Sequence, residues 1–183
     1  MFIEIENTPN PNALKFLVGK SVSSSPIYIT SAKSIKSPLA IKLFDVSFVE
    51  AVFLGSDFLT ITKHGDADWE VIRPQVVAII TDHFVAGLQV IEESCDVMEE
   101  YSSADLTEIE KQIIEIIETK VRPSVAMDGG DIVYKGFEKG VVLLQLRGAC
   151  SGCPSAAVTL KQGVESMLKY YVPEVVSVEA VDS

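Results

Sequence analysis

The feature that most restricts this fold is a Cys-x-x-Cys motif formed by Cys150 and Cys153. The apolar run before it, residues 141–146, predicts a strand, and the amphipathic pattern after it, residues 155–171, predicts a helix. The motif is therefore expected on a strand-to-helix turn, where unpaired backbone N–H groups favour negative charge. Thiols in such positions ionise readily, and the thiolate is both the nucleophile and the metal ligand.

The first half of the chain predicts a small α+β domain of sandwich type over residues 1–88. Alternating and apolar segments predict its strands, including a hairpin over residues 46–63, and a short helix is predicted over residues 38–44. Asp68 is the expected N-cap of a longer helix. Pro74 would delay the start of that helix by a few residues, because proline is tolerated best at the first helical position.

The second half predicts another α+β domain of sandwich type over residues 105–183, with the order α-β-β-loop-α-β. Residues 89–104 are acidic and lack sustained periodicity, so we expect them to be a linker. Ser103 or Asp105 would cap the first helix of the second domain. Pro123 would end that helix, since the residue before a proline disfavours the helical conformation.

Charge and hydropathy exclude several classes of partner. The formal net charge of −11 argues against unaided binding to nucleic acid or to anionic lipid. No apolar run reaches the roughly 18–20 residues that a membrane span requires. Three cysteines without a secretory signal indicate a reducing compartment. We expect a protein of the bacterial cytoplasm or, in a eukaryote, a processed protein of the mitochondrial matrix.

Spacing alone leaves several uses open for Cys150 and Cys153. Thiol–disulfide exchange suits their position, although thioredoxin-like domains carry such a pair near their start. Structural zinc and iron–sulfur clusters usually need four ligands. No cysteine or histidine follows Cys153, and His64 and His83 lie in the other domain. A metal bound through this pair alone would therefore be shared by two chains across a two-fold axis. A turn without any ligand would not need two thiols.

Three motifs of the second domain closely resemble the C-terminal domain of NifU-like iron–sulfur scaffold proteins: VRPSVAMDGGD at 121–131, RGACSGCPS at 147–155 and YVPEV at 171–175. Residues 1–86 are similar to the N-terminal domain of the Nfu branch of that family. That second resemblance rests on TPNPNALKF at 8–16, SPLA at 37–40 and DFLTITK at 57–63. The chain departs from the family mainly in the serine- and lysine-rich segment 20–36.

The resemblance implies a carrier and not an enzyme. Its cofactor would be a 4Fe–4S cluster that bridges two chains, with Cys150 and Cys153 of each chain as the iron ligands. The chain would then be a homodimer when it holds the cluster, would receive the cluster from upstream assembly proteins and would pass it to apo iron–sulfur proteins. A thiol–disulfide oxidoreductase that uses the same pair is the alternative. Cys95, in the predicted linker, is expected to be a surface thiol.

Other polar and aromatic residues have ordinary structural interpretations. Asp128 and Asp131 flank a double glycine and predict a turn with local side-chain-to-backbone hydrogen bonds, in preference to a hard-metal site. His64 and His83 are expected at the surface or the boundary of the core, and Trp69 is expected to anchor a core. No catalytic triad, phosphate-binding loop or zinc-protease motif is present, so the sequence gives catalysis little support.

Overall fold

The computed structural model describes residues 2–31, 37–91, 106–151 and 154–181. The chain divides into two compact units, Met1–Val97 and Met98–Ser183. Each unit combines helices with its own sheet, which confirms the α+β class. The predicted linker falls largely on residues 92–105, outside the described residues, so its boundaries remain a prediction.

The N-terminal unit is a five-stranded antiparallel sheet with two helices. Its elements are β1 Glu4–Asn7, β2 Ala13–Leu17, β3 Ile27–Ile29, α1 Pro38–Phe44, β4 Val49–Leu54, β5 Phe58–Lys63 and α2 Trp69–Val85. The strand order is β1-β2-β5-β4-β3. Phe16 and Leu59 from the sheet share one hydrophobic core with Leu39 from α1 and Ile72 and Ile80 from α2. The helix predicted over residues 38–44 is confirmed.

Two details of the N-terminal prediction are wrong. Pro74 does not delay the long helix: Asp68 caps it, as expected, and accepts a hydrogen bond from the Glu70 N–H at 2.9 Å. Pro74 lies inside the helix, as its sixth residue. The hairpin is also shorter than predicted, since Phe48 has a φ of 74° and β4 begins only at Val49.

The C-terminal unit has the predicted order of elements. They are α3 Glu108–Ile116, a π-helical turn Ile117–Val121, α4 Arg122–Met127, β6 Gly130–Glu138, β7 Val141–Gly148, α5 Pro154–Tyr171 and β8 Ser177–Ala180. Strand β7 lies in the centre of the sheet, antiparallel to β6 and parallel to β8. The parallel pair follows from α5, which returns the chain to the same end of the sheet.

The first helix of this unit differs from its prediction at both ends. Thr107 is its N-cap, in a capping box with Glu110, in place of Ser103 or Asp105. The helix does not end before Pro123, because the π-helical turn leads directly into α4 and places Pro123 in its first turn. Proline is common at this position of a helix, because its fixed φ suits the first turn.

The two helical segments and the sheet enclose a single core in the C-terminal unit. Its members include Ile113, Ile117, Ile132, Leu144 and Leu168, together with the thiol-bearing residue Cys150. The core therefore extends to the loop that carries the motif. Among the described residues, no helix is both long and apolar enough to cross a membrane.

Candidate metal centre

Cys150 lies in the loop that joins β7 to α5, as the sequence predicts. It is the one cysteine in the part of the chain that the structure describes, and only 6% of its surface is exposed. Cys153 and Cys95 are outside the described residues, so their positions remain predictions. The described part of the site consists of Cys150 and the elements that hold it.

A tight turn and one hydrogen bond to a distant segment fix the start of the loop. Gly148 ends β7 with a φ of 68°, a conformation that glycine adopts without steric cost. Its carbonyl accepts a hydrogen bond from the Ser151 N–H at 3.1 Å, which closes the turn around Cys150. The Ala149 N–H donates to the Gly129 carbonyl at 3.1 Å and so ties the loop to the segment before β6.

Gly130 forms the surface on which the Cys150 sulfur rests. A Cβ built on Gly130 would lie 2.6 Å from Cys150 Sγ, 3.2 Å from Cys150 Cβ and 2.9 Å from the Arg147 carbonyl oxygen. These separations are far below van der Waals contact, so a side chain at this position excludes the observed position of the thiol. The sequence marked the double glycine only as a turn, and the 20-residue separation from Cys150 hid its role.

An ion pair holds β6 one residue beyond Gly130. Arg122 donates from Nε to Asp131 Oδ1 at 2.7 Å and from Nη2 to Asp131 Oδ2 at 3.0 Å. Its Nη1 lies 2.7 Å from both carboxylate oxygens of Glu118. The hydrogen bonds with Asp131 are the main cause of the raised pKa of Arg122, which remains a cation although it is partly buried. The local turn bonds predicted for Asp131 are therefore wrong, because its buried carboxylate is bound by Arg122 from α4.

The predictions for the two histidines and the tryptophan are confirmed for His64 and Trp69 and wrong for His83. His64 is exposed and Trp69 packs against the N-terminal core, as predicted. His83 is fully buried, against the prediction, with Nε2 at 3.1 Å from the Gln89 carbonyl oxygen. Desolvation lowers its pKa, so the neutral ring is favoured. His83 is in the N-terminal unit and forms no part of the thiol site.

The described residues do not complete a metal site by themselves. Within the described ranges, no three histidine, cysteine, aspartate or glutamate side chains come together in a way that could hold a metal ion. Asp131 is occupied by Arg122, which leaves Cys150 as the ligand type that this region offers to a soft metal. A metal centre here would need ligands in addition to the described residues.

Two family models match this chain. The model described as "Scaffold protein Nfu/NifU N terminal" matches residues 3–87, and the "NifU-like domain" model matches residues 113–179. The two matches lie in the two compact units in the same order as the resemblances noted above.

Curated relatives match almost the entire chain. The human protein "NFU1 iron-sulfur cluster scaffold homolog, mitochondrial" is 45% identical over 99% of this chain and 72% of its own length. The protein of the same name from Drosophila ananassae is 46% identical over 99% of this chain and 64% of its own length. The chain thus spans about two thirds to three quarters of these relatives. A solved NifU-like protein from Saccharomyces cerevisiae is 32% identical, with a TM-score of 0.47 over 51% of this chain and 86% of its own.

Proposed function

Because this chain belongs to the Nfu/NifU family of scaffold proteins, we propose that it carries a 4Fe–4S cluster and transfers it to apo-proteins. Cys150 and Cys153 of two chains supply the four thiolates. The observation that carries the proposal is the position of Cys150, on a glycine-lined turn between β7 and α5 in the unit that matches the NifU-like model. The cluster is cargo, which the protein receives and gives up.

The residues around Cys150 suit an anionic cargo held by thiolates. Four thiolates around the inorganic core leave about two negative charges, which backbone N–H groups and nearby cations offset. The loop between Gly148 and Pro154 is short, and α5 begins directly after it, so N–H groups of the first turn are close in sequence to both cysteines. No other cysteine lies in the matched C-terminal segment. If the cluster binds through this pair alone, four thiolates require two chains.

Sharing also provides a route for transfer. A cluster with two ligands from each chain can pass to an acceptor by exchanging one thiolate at a time, without unfolding of either unit. The proposed partners are a second copy of this chain, upstream cluster assembly proteins and apo iron–sulfur acceptors. The human and Drosophila relatives are named as mitochondrial proteins, so the proposed location in a eukaryote is the mitochondrial matrix. The bacterial cytoplasm remains the expectation for a bacterial source.

Anaerobic reconstitution with iron and sulfide tests the proposal. The expected product absorbs visible light and contains about four irons per two chains, with a dimeric mass by sedimentation. Cys150→Ser and Cys153→Ser should each abolish this species and keep the far-ultraviolet circular dichroism of the parent. Cys95→Ser is the matched control, since it removes the remaining cysteine and should retain the cluster. A normal cluster in either motif variant would overturn the proposal.

The oxidoreductase alternative gains no support from the comparisons. The family models and the relatives described above are scaffold proteins, and their printed names mention no thiol–disulfide chemistry. In the same reconstitution experiment, disulfide turnover by iron-free protein would be the result that favours it.

A further inference from the structure

The Cys150 thiol occupies a sheltered position whose walls belong to two separate parts of the chain. Its residue is 6% exposed and is a member of the C-terminal core. On one side, Gly130 lies so close that a Cβ there would be 2.6 Å from Sγ. A thiol that binds a shared metal must face a second chain. We call this observed position the resting position of the thiol.

The resting position depends on where β6 begins. Gly130 pairs with Gly148 and Asp131 pairs with Arg147 across the β6–β7 ladder. Successive residues of a strand point to opposite faces, so Asp131 can anchor the strand without touching the thiol that rests on Gly130. The Ala149 N–H bond to the Gly129 carbonyl, at 3.1 Å, transmits any shift of this strand end to the cysteine loop.

The anchor itself is strong and comes from the helical side of the unit. Both carboxylate oxygens of Asp131 are held by Arg122, at 2.7 and 3.0 Å, in a planar two-bond arrangement. Asp131 is 2% exposed, so loss of Arg122 would leave a buried carboxylate unpaired. The π-helical turn just before Arg122 adds a residue to the helical repeat, which changes the direction in which Arg122 projects relative to α3.

We infer that Arg122 and Asp131 are positioning residues for Cys150: their ion pair keeps Gly130 beneath the thiol and so holds Cys150 in its sheltered position. Neither residue needs to contact iron or sulfide. The role of this sheltered position in cargo uptake rests on the proposed function. The sheltered position itself can be tested on cluster-free protein.

The test measures the alkylation rate of Cys150 by iodoacetamide in a Cys95→Ser, Cys153→Ser background, where Cys150 is the one remaining thiol. In the cluster-free parent, Cys150 should react at least about tenfold more slowly than in urea-unfolded chain. Asp131→Asn keeps the shape of the side chain but weakens the pair. It should raise the rate roughly tenfold or more, as expected for loss of charge-assisted hydrogen bonds.

Two matched variants separate positioning from general stability. Glu118→Gln removes the other carboxylate on Arg122 and leaves the Asp131 pair in place, so the alkylation rate should not change. Val164→Ala destabilises the same core from α5, where Val164 is 3% exposed. Val164→Ala should raise the alkylation rate of Cys150 by the same factor as the amide exchange rate in β7. Asp131→Asn should raise the alkylation rate by a larger factor than the exchange rate in β7.

Each contrary result overturns the inference. Rapid alkylation of the parent would show that the thiol is not sheltered. An unchanged alkylation rate in Asp131→Asn would show that the ion pair does not position Cys150. If alkylation and amide exchange rise by the same factor in Asp131→Asn, as expected for Val164→Ala, the ion pair only stabilises the domain. Cluster binding by the unmodified chain would stand in all three cases, since no outcome here involves iron.

Discussion

Substitution of Gly130 by alanine tests the site most directly, because it adds one methyl group at a known place. The new Cβ would stand 2.6 Å from Cys150 Sγ and 2.9 Å from the Arg147 carbonyl oxygen. An ordinary carbon contact is about 3.5–4.0 Å, so the sulfur must move by about 1 Å. The Arg147 oxygen belongs to the central strand and cannot swing aside. Overpacking of this kind costs about 1–3 kcal/mol.

The expected result is a local loss of stability together with a poorer cluster site. Native-state hydrogen exchange, read by mass spectrometry, should show faster exchange in β6 and β7, and anaerobic reconstitution should give less iron per dimer. Trp69 is the only tryptophan and lies in the N-terminal unit. Its fluorescence during urea unfolding should stay unchanged and so report that the N-terminal unit is intact.

Gly136→Ala is the control in the same strand. Its added Cβ would approach nothing closer than Leu143 Cδ1 at 3.9 Å. Exchange in β6 and β7 should be equal to that of the parent or slower, because alanine loses less conformational freedom on folding than glycine. Wild-type exchange and a full cluster in Gly130→Ala would refute the placement of the thiol on Gly130. Equal damage from both substitutions would refute the assignment of the effect to this contact.

Two further predictions concern the N-terminal unit. Phe48→Gly should raise the free energy of unfolding by about 1 kcal/mol in urea titration. Phe48 is 60% exposed and has a φ of 74°, a left-handed conformation that is strained in residues other than glycine. A less stable variant would contradict this prediction. His83 should make the free energy of unfolding decrease as the pH decreases. Burial lowers the pKa of His83 in the folded state below its unfolded value of 6.5. Its contribution to stability is therefore present above that pH and is lost as the pH falls towards the folded pKa. His83→Leu should remove that slope in unfolding titrations from pH 8 to 5.5, whereas exposed His64→Gln should leave it, and a slope that persists without His83 would exclude it as the cause.

The sequence predicted those elements of the fold that are determined by residues adjacent in the chain. Ser37 and Pro38 predicted the start of a short helix with a proline in its first turn, and the observed helix α1 has the predicted bounds, Pro38–Phe44. Its Ser37 side chain accepts a hydrogen bond from the Ala40 N–H at 3.1 Å, as an N-cap should. The cysteine loop between β7 and α5 was likewise predictable, because strand and helix periodicities flank it.

The failures arise where residues distant in sequence decide the outcome. Pro123 was expected to end a helix, but a π-helical turn leads into α4, whose first turn contains Pro123, and no local sequence pattern predicts such a turn. His83 was expected near the surface, yet residues after α2 fold back and cover it, with the Gln89 carbonyl as its partner. The same holds for the site, since Gly130 and Asp131 gain their roles from Cys150 and Arg122 only through tertiary contacts.

The packing of Cys150 also bears on how firmly a cargo can be held. In the cluster-free chain, the thiol contributes to the C-terminal core and rests on Gly130. If Cys150 binds cargo as proposed, that binding must replace these contacts, and part of the metal–thiolate free energy is then offset by the loss of the resting position. The same term acts in the opposite direction during transfer, because a released thiol regains its place in the core. For the proposed carrier, which must both accept and surrender its cluster, such a resting position would lower affinity and favour release. A storage protein would gain from a permanently exposed pair of thiols.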